Sequence, residues 1–308
     1  MGSLATSLLA VLTRRVLLIT NPASRRGARL EGPAAAALRA EGVECEIVRT
    51  RRAGDARDIA AARGRDHDAV FTLGGDGTAM EVAGALAWSN TPIGVLAGGT
   101  GNLLGRALGI PRRVERAVPA LLNGEARRID LGVVHGHRFA VAAGVGIDAA
   151  MVEETPVWMK RRLGVLAYTL IATKAALRGV ILRRFFTARV EVDGEVIERR
   201  AAAVLFANFG AILENRISFG PGIAVDDGVI DCCIFSPTHL GDALRIMWRI
   251  TRQDFRPDPS ILYKKGTRFR ITTDPPLTVQ ADGELLGMTP AEVTVEPLAA
   301  TLLVPRRS

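Results

Sequence analysis

The stretch Ala69–Thr78, AVFTLGGDGT, joins an apolar run to three glycines within four positions. The apolar run predicts a buried strand, and the following Ala79–Leu86 has the apolar spacing of a helix. Glycine lets the backbone turn sharply and lets a bulky group approach the peptide N–H groups, since no Cβ stands in the way. The start of the helix adds unpaired N–H donors and a partial positive charge. The stretch therefore predicts a strand, a phosphate-binding turn and a helix.

Asp76 is the unexpected residue of this turn. A carboxylate repels phosphate unless a cation or a reacting hydroxyl lies between them, so its presence favours phosphoryl transfer over simple anion binding. The alternative is an ordinary strand-to-helix turn in which Asp76 caps the helix.

Composition limits the possible partners. The chain has 308 residues, 48% of them hydrophobic, which is enough for two domains with proper cores. Its net charge of +8 indicates an anionic partner such as nucleotide phosphate or an acidic membrane surface. Aromatic residues make up only 5% and are not interleaved with the basic clusters, so we expect no nucleic-acid partner. Three cysteines, two of them adjacent, and no zinc-type spacing of histidines favour a cytoplasmic protein.

The first part of the chain alternates apolar strands with helical stretches. The predicted strands are Arg15–Thr20, Glu44–Arg49, Ala69–Leu73 and Pro92–Leu96. A polar or glycine-rich loop follows each of them, and the last of these is Ala97–Asn102. This alternation predicts an α/β domain over residues 14–131 with a doubly wound, mainly parallel sheet. Ligands bind such sheets at the carboxyl ends of the strands.

The later part of the chain has the pattern of antiparallel strands. The predicted strands are 138–143, 188–192, 196–207, 228–235, 268–272, 277–281, 292–295 and 301–304. Asp-Gly turns separate several of them, which predicts a β-rich sandwich over residues 132–296. Residues 297–308 are predicted to return to the first domain. Residues 157–182 interrupt the pattern as a basic amphipathic helix, in which Lys174 and Arg178 argue against a membrane span and favour packing beside a cleft or contact with lipid.

Two other nucleotide-binding patterns lack support in the sequence. Gly144–Ala149 matches the dinucleotide pattern G-x-G-x-x-A, but it lacks the acidic residue expected about twenty positions later. No G-x-x-x-x-G-K-[ST] occurs in the sequence, so a Walker-type site is not supported.

Four motifs in order carry a resemblance to a known family. They are Asn21-Pro22, Gly74–Thr78, Gly98–Asn102 (GGTGN) and Gln280–Glu284 (QADGE). Together they resemble the diacylglycerol kinase catalytic family, in particular bacterial lipid kinases similar to sphingosine and ceramide kinases. The resemblance extends from about Arg15 to Val304. It implies an α/β nucleotide domain, a C-terminal β-sandwich and an active site in the cleft between them.

The resemblance implies a role for each matching residue. It assigns ATP binding to Asn21, Thr50, Gly74, Gly75, Asp76, Gly77, Thr78 and Thr100. It assigns an active-site network of magnesium and water to Asp76 and Asp130. It assigns the general base to Glu284, within a late motif that also holds Asp282. A structural magnesium would bind the side chain of Asp227 and the carbonyls of Ala224 and Val229, with water completing the shell.

The activity expected from the resemblance is transfer of the γ-phosphate of ATP to a hydroxyl of diacylglycerol or of a sphingoid or ceramide-like lipid. The expected location is the cytoplasm, in peripheral contact with the anionic inner face of the membrane, and a homodimer is one possible assembly. Met80 and Leu103 depart from the family, many members of which have Asn and Asp at those places. An NAD kinase, which shares the Gly-Gly-Asp-Gly motif, and a nucleotide- or lipid-binding regulator with a decayed site are the alternatives.

Overall fold

The computed structural model describes residues 13–146, 185–212, 217–218 and 220–306. The predicted helix 157–182 lies outside these residues. The described residues form two compact units: one contains the chain up to Ile129 and again from Ala299, and the other runs from Asp130 to Leu298.

The first unit is an α/β layer structure. Its elements are β1 Arg15–Thr20, α1 Gly27–Ala40, β2 Glu44–Arg49, α2 Asp55–Arg63, β3 Ala69–Gly74, α3 Asp76–Ala85, β4 Ile93–Ala97, α4 Leu103–Ala107 and α5 Val114–Leu122. The strands are parallel in the order β2-β1-β3-β4, and Leu302 from the end of the chain pairs in parallel with Ile93 of β4. The parallel α/β fold expected from the sequence is confirmed.

Burial explains why these segments form the sheet. All residues of β3, and all of β1 after Arg15, are buried, as expected of parallel strands covered by helices on both faces. Phe71 lies against Gly94 of the neighbouring strand, where a Cβ would come within 2.6 Å of the ring. The tight packing fixes the strand ends at which ligands bind in such folds.

The second unit is built of antiparallel strands. Its elements are β5 Glu125–Val134, which begins in the first unit, β6 His137–Phe139, β7 Ala142–Gly146, β8 Phe186–Val192, β9 Glu195–Ala201, β10 Ala203–Ala207, β11 Ala211–Ile212, β12 Ile217–Ser218, β13 Ile230–Phe235, α6 Leu240–Arg252, β14 Ile261–Gly266, β15 Arg268–Asp274, β16 Thr278–Ala281, β17 Glu284–Met288 and β18 Ala291–Val304, which ends in the first unit. One sheet has the order β14-β13-β10-β7-β16-β17, and the other contains β18-β15-β8-β9.

The two sheets of this unit bury one shared core. Burial alternates residue by residue along β8 and β15, which is the pattern of strands with one face in a core. Phe206 of the first sheet lies 5.3 Å, between ring centroids, from Phe269 of the second. The predicted β-sandwich is therefore confirmed, and the fold agrees with the sequence in both halves.

Three strand predictions were wrong in detail. The predicted strand 138–143 is divided at Ala140 and Val141, because β6 pairs with β5 whereas β7 pairs with β10 and β16 in the other sheet. The predicted strand 196–207 is divided at Ala202, because β9 pairs with β8 whereas β10 pairs with β7 and β13 in the other sheet. The predicted strands 292–295 and 301–304 form one long strand, β18, in which Leu298 has φ of +50°. Helices α5 and α6 and strands β11, β12, β14 and β17 were not predicted. Among the described residues, no helix is both long enough and apolar enough to cross a bilayer.

Candidate active site

The first glycine turn connects β3 to α3. Gly75 precedes the first helical residue, Asp76, and no side chain caps the helix there. A Cβ on Gly74 would lie 2.6 Å from Oγ1 of Thr78, so a larger residue does not fit. The backbone N–H groups at the start of α3 therefore remain available to an anion.

The second glycine turn packs directly on the first. The N–H of Gly98 donates to the carbonyl of Gly74 at 2.9 Å. A Cβ on Gly99 would come within 2.5 Å of Cα of Gly75, so the two backbones touch where a side chain would separate them. The structure thus brings together two motifs that are a full strand-helix unit apart in sequence, at the carboxyl ends of adjacent strands.

Asn21 joins the loop after β1 to the same place. Its Nδ2 donates to Oγ1 of Thr78 at 3.2 Å, and its backbone N–H donates to the carbonyl of Leu73 at 2.9 Å. Its Oδ1 accepts from the N–H of Ala23, which fixes the turn that follows. Asn21, Thr78 and both glycine turns therefore form one connected group.

Thr50 lies at the corresponding end of β2. Its N–H donates to the carbonyl of Thr20 at 2.9 Å, and the residue is half-buried. The loop beyond it is held by Glu81 of α3, whose carboxylate accepts from the N–H groups of Gly54 at 2.9 Å and Ala56 at 3.1 Å. Glu81 thus caps α2 from a neighbouring helix, a role that the sequence analysis did not predict.

Asn102 fixes the backbone of the second glycine turn, in which Thr100 lies. The side chain of Asn102 is buried, accepts from the N–H of Gly99 at 3.0 Å and donates to the carbonyl of the same residue at 2.9 Å. The backbone of Asn102 is left-handed, with φ of +49°, which Asn tolerates better than most residues. Thr100 itself is half-buried.

The carboxylate of Asp76 connects the first glycine turn to the helix that follows the second. Its Oδ1 accepts from the N–H of Leu104 at 3.1 Å, so it caps the short helix α4. Burial raises the pKa of Asp76, although the N–H groups of Leu104, Leu103 and Asn102 act in the opposite direction. Asp76 forms no ion pair with any described residue. The residue is half-buried, and a poorly solvated carboxylate with no ion-pair partner among the described residues is suited to a cation.

A basic cluster that the sequence analysis did not single out flanks these loops. The N–H of Arg26 donates to the carbonyl of Gly98 at 2.9 Å, and its guanidinium donates to the carbonyl of Ala97 at 3.0 Å. Burial lowers the pKa of Arg26, and the charges of Arg112, Arg25 and Arg29 add to the effect. The signal in the sequence was the arginine pair in the loop that Asn21 begins. Such a concentration of positive charge favours an anionic ligand.

In the second unit, Asp130 holds the backbone. The residue is fully buried, and its Oδ2 and Oδ1 accept from the N–H groups of Gly228 and Leu298, both at 2.7 Å. Its own N–H donates to the carbonyl of Val225 at 2.6 Å. Burial raises the pKa of Asp130, against the effect of the two N–H donors. Both carboxylate oxygens are thus engaged by the protein itself.

Asp282 has a similar role. Its Oδ2 accepts from the N–H of Ala140 at 2.7 Å, and its Oδ1 accepts from those of Val141 and Ala142 at 3.0 Å each. It occupies the turn between β16 and β17 with φ of +47°, and Gly283 follows with φ of +90°. Three N–H donors on one carboxylate indicate a residue that fixes the turn.

Glu284 lies two residues further, at the start of β17, and its side chain is exposed. Leu285 and Met288 on the same edge strand are also exposed, at 45% and 51%. Asp282 and Glu284, although close in sequence, therefore differ in environment: the first is engaged by backbone and the second faces solvent beside apolar side chains.

Asn208 connects the backbone at Asp130 to the segment that holds Asp282. It is fully buried, and its Nδ2 donates to the carbonyls of Asp130 at 2.8 Å and Ala140 at 2.9 Å. The N–H of Ala140 in turn donates to Asp282. No motif in the sequence indicated Asn208, because its partners are backbone atoms far away along the chain.

The loop assigned to a structural magnesium contains Ala224, Asp227 and Val229. Oδ1 of Asp227 accepts from the N–H of Val229 at 3.3 Å. Its Oδ2 lies 3.3 Å from Nζ of Lys265. Among the described residues, no group of three or more His, Cys, Asp or Glu side chains is arranged to hold a metal.

Lys265 supplies the positive charge at this loop. Its Nζ donates to the carbonyl of Gly222 at 2.9 Å and forms an ion pair with Oδ2 of Asp231 at 3.5 Å. Burial raises the pKa of the Asp231 carboxyl to about 6. An ammonium group on the one side-chain ligand repels a second cation, so the donor set of Asp227 does not fit Mg²⁺ here. We derive no role for a metal at this loop.

The dinucleotide-like pattern has a different structural meaning. Its described part, Gly144–Gly146, lies in β7, which is antiparallel to both of its neighbours β10 and β16. A dinucleotide-binding turn instead follows a parallel strand and opens a helix. Residues 147–149 of the pattern lie outside the described part of the chain.

Comparison with known proteins identifies the family. The model of the diacylglycerol kinase catalytic domain matches residues 15–134, and that of the YegS C-terminal NAD kinase beta sandwich-like domain matches residues 140–304. A diacylglycerol kinase of Bacillus subtilis is 32% identical over 91% of this chain and 92% of its own length. This chain belongs to the diacylglycerol kinase catalytic family.

The chain is also similar to a cyanobacterial protein in sequence and to a solved structure in fold. An uncharacterized protein of Synechocystis is 30% identical over 77% of this chain, and the match spans 54% of that relative's length. The crystal structure of a candidate diacylglycerol kinase from Bacillus anthracis strain Sterne has a TM-score of 0.76 at 24% identity, covering 95% of this chain and 98% of that one. At this identity the structure supports the fold.

Proposed function

We propose that this protein is an ATP-dependent lipid kinase that transfers the γ-phosphate of ATP to a hydroxyl of a lipid such as diacylglycerol or a sphingoid or ceramide-like lipid. The observation that carries the proposal is the direct packing of the two glycine turns, Gly74–Thr78 and Gly98–Asn102, beside the half-buried carboxylate of Asp76. It is supported by the family match over both units and by the name of the B. subtilis relative.

The nucleotide half of the proposal concerns the strand ends of the first unit. Backbone N–H groups at the start of α3 bind phosphate oxygens, and the Arg26 cluster adds positive charge. The proposed contacts to ATP come from Asn21, Thr50, Gly74, Gly75, Gly77, Thr78 and Thr100. Together these groups would offset the charge that develops on the transferred phosphoryl group.

Magnesium is proposed to reach the site with ATP. Asp76 would hold it, since this half-buried carboxylate forms no ion pair with the residues that the structure describes. The metal would neutralise phosphate charge. Asp130, assigned to the same network by the resemblance, is better supported as a positioning residue because backbone N–H groups engage both of its oxygens.

Glu284 is the proposed general base. As the lipid hydroxyl oxygen bonds to the γ-phosphorus, the bond from that phosphorus to the ADP oxygen breaks, and the hydroxyl proton passes to the Glu284 carboxylate. The exposed position of Glu284, beside Leu285 and Met288, suits an acceptor whose hydroxyl is attached to an apolar body. Asp282 holds the turn that presents it.

Lipid phosphorylation can be measured directly. The purified protein is incubated with ATP, Mg²⁺ and vesicles that contain diacylglycerol, a sphingoid base, ceramide or monoacylglycerol, and products are identified by mass spectrometry. We expect a phosphorylated lipid with wild type and with Asp66→Asn, an exposed matched control, and about 10²-fold less with Asp76→Asn. Absence of product from every lipid, or equal activity of Asp76→Asn and wild type, would contradict the proposal.

NAD kinase activity is the second candidate, since the family model that matches the second unit is described as NAD kinase beta sandwich-like. NAD is therefore included as an acceptor in the same assay. NADP as the main product would replace the lipid proposal. Lipid binding without turnover on any acceptor would instead favour the regulator alternative.

A further inference from the structure

Helix α6 exposes a row of large apolar side chains. Leu240, Leu244 and Trp248 are 38%, 50% and 61% exposed, and their spacing of four residues places them along one side of the helix. The opposite side packs on the unit through Ala243 and Ile246, which are buried. The outer row remains exposed to solvent along the helix. Exposed apolar rows of this kind mark interaction surfaces.

The helix is held in a defined position. Oδ2 of Asp242 accepts from the N–H groups of Thr238 at 2.9 Å and His239 at 3.1 Å, which caps the first turn. The Thr238 hydroxyl, which also donates to this carboxylate, holds the pKa of Asp242 well below its usual range. The outer row thus stands on a preformed helix.

Charged side chains of α6 and of the segment that follows it differ in exposure: Arg245 and Arg256 are exposed, whereas their aspartate partners are covered. The arginine side chains Arg245 and Arg256 are 44% and 84% exposed. The acidic partners are covered: the side chains of Asp242, Asp254 and Asp258 are 14%, 23% and 4% exposed. Although the cluster is nearly neutral in sum, the surface it presents to the outside is basic.

Arg252 and Trp248 complete the surface. Arg252 is exposed, and its guanidinium carbon lies 4.4 Å from the centroid of the Trp248 ring. Trp, Leu and Arg on one helical face match the layers of a bilayer surface: the leucines enter the acyl region, the indole lies at the interface and the guanidinium meets phosphate.

We propose that this face of α6 docks on an anionic lipid bilayer. The charge arrangement decides between this occupant and a second copy of the chain, because two copies joined by this face would bring their outward arginines together. The inference rests on the proposed function only in that a lipid kinase meets its acceptor at a bilayer. Docking requires neither ATP nor turnover.

Binding to vesicles tests the inference. The whole chain is sedimented with phosphatidylglycerol–phosphatidylcholine vesicles without ATP. The variant Leu244→Ser/Trp248→Ser should bind about tenfold more weakly than wild type. The control Trp88→Ser/Val196→Ser removes side chains of similar exposure, 58% and 46%, elsewhere on the surface and should bind like wild type. Equal binding of Leu244→Ser/Trp248→Ser and wild type, with both folded by circular dichroism, overturns the inference.

Three further measurements test the role of the arginine charges, the identity of the partner that α6 binds and the independence of docking from catalysis. Arg252→Gln/Arg256→Gln should weaken binding to anionic vesicles and leave binding to pure phosphatidylcholine unchanged, and an equal loss on both vesicle types counts against anionic docking. A dimer in wild type that Leu244→Ser/Trp248→Ser dissociates, with no change in vesicle binding, shows a second copy as occupant and overturns the inference. With a short-chain, dispersed acceptor, Leu244→Ser/Trp248→Ser should keep wild-type kcat. If Leu244→Ser/Trp248→Ser loses vesicle binding while the wild-type protein phosphorylates no lipid, the docking is upheld and the proposed function is rejected.

Discussion

The candidate residues of the first unit and those of the second differ in what their polar groups face. In the first unit no N-cap side chain engages the backbone N–H groups at the start of α3, and the half-buried carboxylate of Asp76 forms no ion pair with the described residues. In the second unit two acidic residues, Asp130 and Asp282, are engaged by backbone N–H donors, whereas the side chain of Glu284 faces outward.

This difference shows how a motif can mix two kinds of residue. An acidic residue that accepts two or three backbone hydrogen bonds determines local structure, because its removal leaves N–H groups without partners. An exposed carboxylate contributes little to stability and can serve chemistry. We therefore expect substitutions of Asp282 and of Glu284 to give opposite results in stability and in turnover.

The largest effect is expected for Glu284→Gln. Loss of the general base should lower kcat by about 10²- to 10⁴-fold, while the unfolding midpoint stays within about 1 °C of wild type because the side chain is exposed. Steady-state kinetics and thermal unfolding are measured on the same samples. Glu198→Gln, an exposed carboxylate on β9, is the control. Full kcat in Glu284→Gln would show that Glu284 is not the general base, and would contradict the distinction between a structural Asp282 and a catalytic Glu284.

The next effect is expected for Asp282→Ala. Three N–H groups, those of Ala140, Val141 and Ala142, lose their acceptor, and the free energy of unfolding should fall by about 2–4 kcal/mol. Urea unfolding measures the loss. A change below about 0.5 kcal/mol would mean that the carboxylate is not needed to hold the turn.

The stability of the protein should depend on pH through Asp231. Burial raises the pKa of this carboxyl to about 6. Because the folded protein binds the proton more tightly than the unfolded chain, the stability from this group is present below pH 4 and is lost as the pH rises through about 6. The loss relative to Asp231→Asn should be about 2–3 kcal/mol. Urea unfolding of both proteins between pH 4 and 7 tests it, and parallel stability curves would reject a raised pKa.

The smallest effect is expected from removal of divalent metal. Since Lys265 provides the positive charge at Asp227, EDTA should change the unfolding midpoint of the nucleotide-free protein by less than about 1 °C. In Lys265→Met the carboxylates of Asp227 and Asp231 lose that charge, and millimolar Mg²⁺ should raise the midpoint by a few degrees, about 2–4 °C. A fall of several degrees in wild type on addition of EDTA would restore the structural magnesium assigned by the resemblance.

The parts of the fold that follow from local patterns were predictable. Apolar runs of five or six residues that end in glycine or Asn-Pro indicated β1, β3 and β4, because strands buried on both faces need continuous apolar sequence. Asp-Gly turns marked the hairpins β8–β9 and β16–β17, which the structure confirms. Where a strand changes sheet at Ala202, no local signal exists, since the pairing partners are distant in sequence.

The amphipathic helix α6 was missed for a related reason. Leu240, Leu244 and Trp248 have helical spacing, yet they occur among arginines and aspartates in a region of strong strand patterns. Their exposure becomes evident only when the inner face of the helix is packed. Sequence alone does not distinguish an apolar row that enters a core from one that remains outside.

The sequence by itself determined the chemistry that this protein has available: glycine turns after buried strands, a carboxylate within one of them and a late Asp-Gly-Glu. These follow from the order of residue types, which acts over a few positions. Only the tertiary structure decided which acidic groups are already engaged. Backbone donors from distant segments reach Asp130 and Asp282, and an ammonium group from β14 reaches Asp227. Hydrogen bonding and burial depend on what lies nearby in space, and that is set by the pairing of strands and not by the motif itself.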